Sequence, residues 1–153
     1  MKKISSVISL VIFFLIANQI WAAEWTFYAS YEDGKKYYDK NSIKKVNKNI
    51  VSVSTKTIYN ESGKSMNFSF LKNIGEAPDN PYILNHQIVL NEIDCINKKI
   101  NVTSITIYDE AGKVIASSQK FSDEWDDIRP HFHTEILKNI VCSVVKTSKA
   151  KKK

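Results

Sequence analysis

Apolar and polar residues alternate along the first half of the chain with a period of two, which is typical of half-buried β-strands. Turn-forming residues separate the alternating runs. Gly34 supplies the positive φ that a tight hairpin turn demands, because glycine has no Cβ to obstruct it. The strands predicted in this half cover residues 24–29, 36–39, 50–59 and the alternating run Met66, Phe68 and Phe70.

The stretch 88–118 predicts three consecutive antiparallel strands, since its β-branched runs are broken only by turn formers. The turns fall at Asn97-Lys98 and at residues 109–112. Within the middle strand the apolar phase shifts near Thr103-Ser104, which predicts a β-bulge. A bulge bends a strand, so we expect the sheet to be curved.

Apolar residues at helical spacing mark the C-terminal segment. Pro130 suits the first turn of a helix, where its missing N–H has no partner to lose. A helix is therefore predicted from about Phe132 to Cys142, packed on the sheet through one apolar side. The residues expected on that side are Phe132, Ile136, Ile140 and either Val141 or Leu137.

The N-terminal segment resembles an export signal. A charged start, Met1-Lys2-Lys3, precedes an apolar run over residues 7–20 that is too short for an ordinary membrane span. Residues 1–23 are therefore predicted to be a signal peptide, with an uncleaved signal anchor as the alternative. No cysteine directly follows the apolar run, so a bacterial lipid anchor is not expected. The protein is predicted to be periplasmic or secreted, and attachment to the outer surface is less favoured.

The chain has two cysteines, Cys95 and Cys142. In an exported protein, such a pair favours a disulfide over a metal site or a nucleophile. The bond would stabilise the fold by about 4 kcal/mol in the chain-entropy model. The fold class predicted is α+β: a curved antiparallel sheet of about six strands, packed by a C-terminal helix and carrying one disulfide.

Charge places the chain outside the nucleic-acid-binding class. The sequence holds 22 basic and 16 acidic residues, but seven lysines lie in the signal peptide and in the last eight residues. The remaining body is close to neutral, and its lysines are interspersed with acidic residues. We therefore expect one domain over 24–145, a basic disordered tail over 146–153, and no transmembrane span in the mature form.

No catalytic motif is present, and the protein is not expected to be an enzyme. A metal or haem role for His131 and His133, beside Asp126 and Asp127, is the alternative to solvated histidines. On a helix, residues two apart point nearly opposite ways, so this spacing disfavours a shared ion. Neither a metal nor a cofactor is predicted.

Aromatic residues are the other candidates for binding. Trp and Tyr dominate interface hot spots, but in a domain with few leucines they also supply core area, so both roles stay open. The candidate ligand-binding residues, with the two histidines included, are Trp25, Tyr37, Tyr38, Trp125, His131 and His133.

Several short motifs occur in order along the chain: Tyr37-Tyr38-Asp39 with Ser42-Ile43, Glu92-Ile93-Asp94-Cys95, Tyr108-Asp109 with Gly112-Lys113-Val114-Ile115, and Trp125, Ile128, Pro130, Glu135, Leu137 and Val141-Cys142. Their order and spacing resemble the surface-adhesin protein E family. The resemblance implies an antiparallel sheet with a helix, a disulfide, and non-enzymatic binding of host extracellular or matrix proteins. The alternative function is a soluble periplasmic protein that binds a small molecule or haem.

Overall fold

The computed structural model describes residues 22–119 and 124–150, so the predicted signal peptide lies almost entirely outside the described residues. Within those ranges one antiparallel sheet of eight strands carries two helices. The strands are β1 (Trp25–Tyr31), β2 (Gly34–Asp39), β3 (Lys44–Lys45), β4 (Ile50–Tyr59), β5 (Leu84–Asp94), β6 (Lys99–Asp109), β7 (Val114–Ser118) and β8 (Asp126–Asp127), and the helices are α1 (Glu61–Asn73) and α2 (His133–Ala150).

The sheet has the order β1-β2-β4-β5-β6-β7, and the two short strands add to it, β3 on β4 and β8 on β6. Every pairing is antiparallel. Gly34 opens β2 with a φ of 143°, as the hairpin requires. The α+β fold, the antiparallel sheet and the C-terminal helix predicted from the sequence are therefore confirmed.

The disulfide and the bulge are confirmed as well. Cys95, just after β5, is bonded to Cys142 in α2, with their Cα atoms 5.8 Å apart. Between β5 and β6, Leu90 pairs with Ser104 and Asn91 with Val102, so Thr103 is the extra residue. The bond fastens α2 to a central strand of the sheet.

The strand predicted through Met66, Phe68 and Phe70 is wrong, because these residues belong to α1. The helix begins where the Asn60 side chain accepts a hydrogen bond from the backbone N–H of Gly63, 2.9 Å away. Helical spacing buries Leu71 and partly buries Phe68, while it leaves Met66 and Phe70 exposed. The alternation of three apolar residues therefore did not mark a buried strand face.

Gly63 lets α1 approach the β1–β2 turn closely. A Cβ at this position would overlap the carbonyl oxygen of Asp33. The Asn60 amide also donates to the carbonyl oxygen of Glu32 at 3.0 Å. The start of α1 is thus fixed by tertiary contacts in addition to its own cap.

The C-terminal helix differs from its prediction in both its ends and its buried side. It begins at His133, three residues after Pro130, and runs to Ala150, past the predicted start of the disordered tail. Leu137 and Val141 are buried, whereas Ile136 is 43% exposed. The expected burial of Ile136 is therefore wrong, because Leu137 and Val141, four residues apart, define the side that faces the sheet.

Both helices lie on one face of the sheet, which we call the covered face. Val53 packs in the apolar cluster beneath α2, and Tyr59 in a second cluster beneath α1. These two residues are six positions apart on β4, so their side chains point to the same side. Within the described residues, the opposite face of the sheet carries no helix.

Candidate functional site

Trp25, Phe27, Tyr37 and Lys56 lie together on the face that the helices leave uncovered. The Lys56 ammonium is 4.5 Å from the centroid of the Trp25 ring and 5.9 Å from that of Tyr37. The rings of Phe27 and Tyr37 meet edge to face with their centroids 5.7 Å apart. Phe27 is 52% exposed, so this group of rings is open to a partner.

The apolar surface continues across the sheet. Ile58 and Leu90 are both exposed on the same face. His86 and Tyr108 stack with their ring centroids 4.8 Å apart. Burial, together with the nearby charge of Lys56, lowers the pKa of His86. We call this surface the open face, defined by the residues Trp25, Phe27, Tyr37, Lys56, Ile58, His86, Leu90 and Tyr108.

The predicted aromatic residues do not form one patch. Trp25 and Tyr37 are on the open face, whereas Tyr38 points to the covered face, where it is buried against Tyr28 with ring centroids 6.2 Å apart. Trp125 precedes β8, which pairs with β6, and so lies several strands away from Trp25. Of the two roles left open for these residues, the core role fits the burial of Tyr38.

The two predicted histidines also differ in environment. His131 is exposed with a φ of 65°, and its backbone N–H donates to Glu135 Oε2 at 2.9 Å. His133 is half-buried, with its ring 5.2 Å from that of Tyr31. Across residues 22–119 and 124–150, no three His, Cys, Asp or Glu side chains are grouped as a metal ion would need.

A cleft of about 720 Å³ lies on the covered face, between the sheet and the start of α2. Its floor is made by β2, β4, β5 and β6, and its other walls by Tyr28 and the segment from residues 126 to 137. His133 contributes to these walls. The cleft thus contains one of the residues proposed from the sequence.

A row of polar side chains forms much of the cleft floor. Lys36 is only 5% exposed, and its ammonium lies 2.8 Å from Asp33 Oδ2 and 3.4 Å from Thr57 Oγ1. Asn91 donates to Thr55 Oγ1 at 2.9 Å. In the sequence, strand residues such as Lys36 and Asn91 look like ordinary solvated positions, so their burial in the floor becomes clear only in the folded sheet and helix.

The comparison with protein families decides what the chain is related to. The model of the surface-adhesin protein E family matches residues 25–143, which is nearly all of the described sheet and helices. The chain belongs to the surface-adhesin protein E family. No curated protein and no solved structure matched it.

Membership of the surface-adhesin protein E family indicates an adhesin-like binding protein that is exported or displayed at the surface, and it implies a non-enzymatic role. The matched range contains both Cys95 and Cys142, as well as the residues of the open face and those that line the cleft. Neither helix in the described part of this family member is apolar and long enough to cross a bilayer.

His133 is a titratable group in the cleft whose pKa is lowered by the surface-adhesin protein E fold. Burial lowers its pKa to about 4, the charge of Lys36 adds to this effect, and Asp33 opposes it. Its Nδ1 is buried and has no hydrogen-bond partner among the described residues. The imidazole is therefore neutral at physiological pH.

Acidification is expected to destabilise the protein through His133. Between about pH 6.5 and pH 4 the unfolded chain binds a proton at this position and the folded one does not, so the free energy of unfolding falls as the pH falls. In urea unfolding across this pH range, the free energy of unfolding should fall less steeply with falling pH for His133→Gln than for the wild type. An identical pH dependence in both proteins would contradict the prediction. The control is His131→Gln at the exposed histidine, which should keep the pH dependence of the wild type.

Proposed function

We propose that this protein is an exported, non-enzymatic adhesin-like protein whose open face binds host extracellular proteins, with extracellular-matrix proteins as the first class to test. Family membership supports the general role. The open face is proposed as the binding surface because Trp25, Tyr37 and Lys56 lie together on a face that both helices leave free. The sequence features of the N-terminus support export to the periplasm or the exterior.

The open face has the composition of a protein-binding surface. Single exposed apolar residues are ordinary, but a continuous group of them on one face is typical of an interaction site. Here Phe27 on β1, Ile58 on β4 and Leu90 on β5 are exposed on the same face as the aromatic rings. Tyr and Trp are also the residues most enriched among binding hot spots.

Lys56 adds a preference for charge. Its ammonium lies over the Trp25 ring, and burial lowers its pKa, which shows that the charge is partly desolvated. A partner that places a carboxylate next to apolar groups would compensate for the water that the Lys56 ammonium has lost, because the two groups would form a charge-assisted hydrogen bond. We therefore expect the bound segment of the partner to combine acidic and apolar residues.

Phe27→Ser is expected to weaken binding to a matrix protein at least about 30-fold, because the loss of a hot-spot aromatic residue costs about 2 kcal/mol or more. Phe27 is 52% exposed, so the substitution should lower the melting temperature only modestly, through the lost edge-to-face contact with Tyr37, and the protein should stay folded. Binding is measured by surface plasmon resonance against a panel of purified extracellular-matrix proteins.

The matched control for this substitution is Tyr82→Ser. Tyr82 is 66% exposed and lies in a short helical turn beside α1, away from the open face. The Tyr82→Ser variant should bind the matrix protein with the affinity of the wild type. Equal weakening by both variants, or an unchanged affinity for Phe27→Ser, would exclude the open face as the binding surface. Failure of the wild type to bind any matrix protein would exclude the proposed partner class.

The cleft on the covered face favours a second candidate function, binding of a small molecule. It is an open cleft bounded by sheet and helix, and its volume of about 720 Å³ is in the range of ligand pockets. Its chemistry is independent of the open face, since the two lie on opposite sides of the sheet.

A further inference from the structure

The covered face buries polar side chains that its packing does not require. Two apolar clusters, one under each helix, are separated by a belt of nearly buried polar residues. Burying such groups is unfavourable unless they are hydrogen-bonded, and apolar residues at these positions would join the two clusters into one core. The belt consists of Lys36, Thr55, Thr57 and Asn91, each between 5% and 8% exposed, with the half-buried Gln87 beside them.

The hydrogen bonds within the belt leave particular atoms unused. The Gln87 side-chain oxygen accepts from the Tyr59 hydroxyl at 3.0 Å, and its NH₂ group has no partner among the described residues. The Asn91 NH₂ group donates to Thr55 and to the carbonyl oxygen of Val89, which leaves its side-chain oxygen without a donor in the same part of the chain. The floor of the cleft therefore presents both a free donor and a free acceptor.

The charged groups that line the cleft cancel. Lys36 and Arg129 are balanced by Asp126 and Asp127. Lys36 is in addition paired with Asp33 at 2.8 Å, and Asp127 with Lys99 at 3.3 Å, so neither charge is free to dominate binding. A ligand with a large net charge would gain little here and would lose its hydration, which favours a neutral one.

The rest of the cleft lining includes apolar and aromatic side chains. Phe132 and Tyr28 line the cleft opposite a floor that includes Val102 and Ile105. The Arg129 guanidinium lies 5.9 Å from the centre of the Phe132 ring and adds hydrogen-bond donors at the rim. A ligand that fits must combine hydrogen-bonding groups on its edges with apolar faces.

We propose that the cleft binds a neutral saccharide of one or two sugar rings. A sugar hydroxyl both donates and accepts, so it can pair with the Gln87 NH₂ group and with the Asn91 oxygen, while the C–H faces of the ring pack on aromatic side chains. Gln87 and Asn91 are four residues apart on one strand, about 13 Å, which suits two linked rings. This inference rests on the small-molecule binding proposed for the cleft, and it is independent of the proposed protein binding, because the site lies on the side of the sheet opposite the open face.

The test is a titration of the ¹⁵N-labelled, disulfide-intact protein with glucose, galactose, maltose and lactose, followed by NMR. Saturable shifts are expected at the backbone amides of Gln87, Asn91 and His133 with at least one sugar. Gln87→Met keeps the side-chain size and removes the amide, so it should weaken that binding about 10-fold, the equivalent of one hydrogen bond. The control is Lys35, which precedes Lys36 and is exposed on the opposite face of the sheet. Lys35→Ala should leave the affinity for the sugar unchanged.

Arg129→Ala provides a second variant at the exposed rim, where the fold does not depend on the side chain. It too should weaken binding of the same sugar. Absence of saturable shifts with all four sugars overturns the proposal, as does an unchanged affinity in Arg129→Ala and in folded Gln87→Met. Tighter binding of glucuronate than of glucose would overturn the assignment of a neutral ligand.

Discussion

Replacing both Cys95 and Cys142 with Ala is expected to lower the free energy of unfolding by about 4 kcal/mol, a large part of the net stability of a small domain. The bond closes a loop with a sequence separation of 47 residues. Without it, the unfolded chain regains the conformational freedom that the crosslink removes. Equilibrium unfolding in urea, compared between the wild type and the double variant, measures the loss.

A reductant supplies the control for this prediction. Reduction of the wild type should reproduce the loss seen in the Cys95→Ala, Cys142→Ala protein, and the reductant should have no effect on the variant itself. A double variant as stable as the oxidised protein would show that the contacts of Leu137 and Val141 hold α2 on the sheet without the crosslink. Both residues are fully or almost fully buried beneath the helix.

The strands could be predicted from the sequence because their cause is local. In β4 the period of two follows directly from one buried and one uncovered face, and Val51 and Val53 are buried as the pattern requires. The bulge at Thr103 was visible for the same reason, since one extra residue reverses the phase of the alternation.

Helix α1 could not be predicted in this way because much of its support is tertiary. Its apolar content is low, and three of its apolar residues happen to alternate. The local signal that was present is Asn60, a good N-cap, followed by Glu61 in the first turn. Gly63, unfavourable inside a helix by propensity, is explained only by the close approach to Asp33.

The candidate site was accessible from the sequence only in part. The alternation places Trp25 and Phe27 on one side of β1, but the contact of Trp25 with Lys56 joins β1 to β4, which come close only because both pair with β2. The polar floor of the cleft was missed because a strand residue such as Lys36 is ordinarily solvated. Its burial depends on the position of α2 and on Asp33, which pairs with its charge.

Replacing Leu137 with Ala is expected to lower the free energy of unfolding by about 2–5 kcal/mol, because a large buried side chain is lost and a cavity is left. Leu137 is 2% exposed and packs in the cluster that contains Tyr38 and Val141. Ile136→Ala removes a side chain of similar size from the same helix, but Ile136 is 43% exposed, so its loss should be well below that of Leu137.

The two variants form a matched pair, because they are adjacent in sequence and share helix propensity effects to within a few tenths of a kcal/mol. The difference in their unfolding free energies, measured in urea, therefore reports which side of α2 faces the sheet. Successive residues are about 100° apart around a helix, so a larger loss for Ile136→Ala would mean that α2 is rotated by roughly that angle. Leu137 also lines the cleft, and such a rotation would withdraw it from the saccharide site.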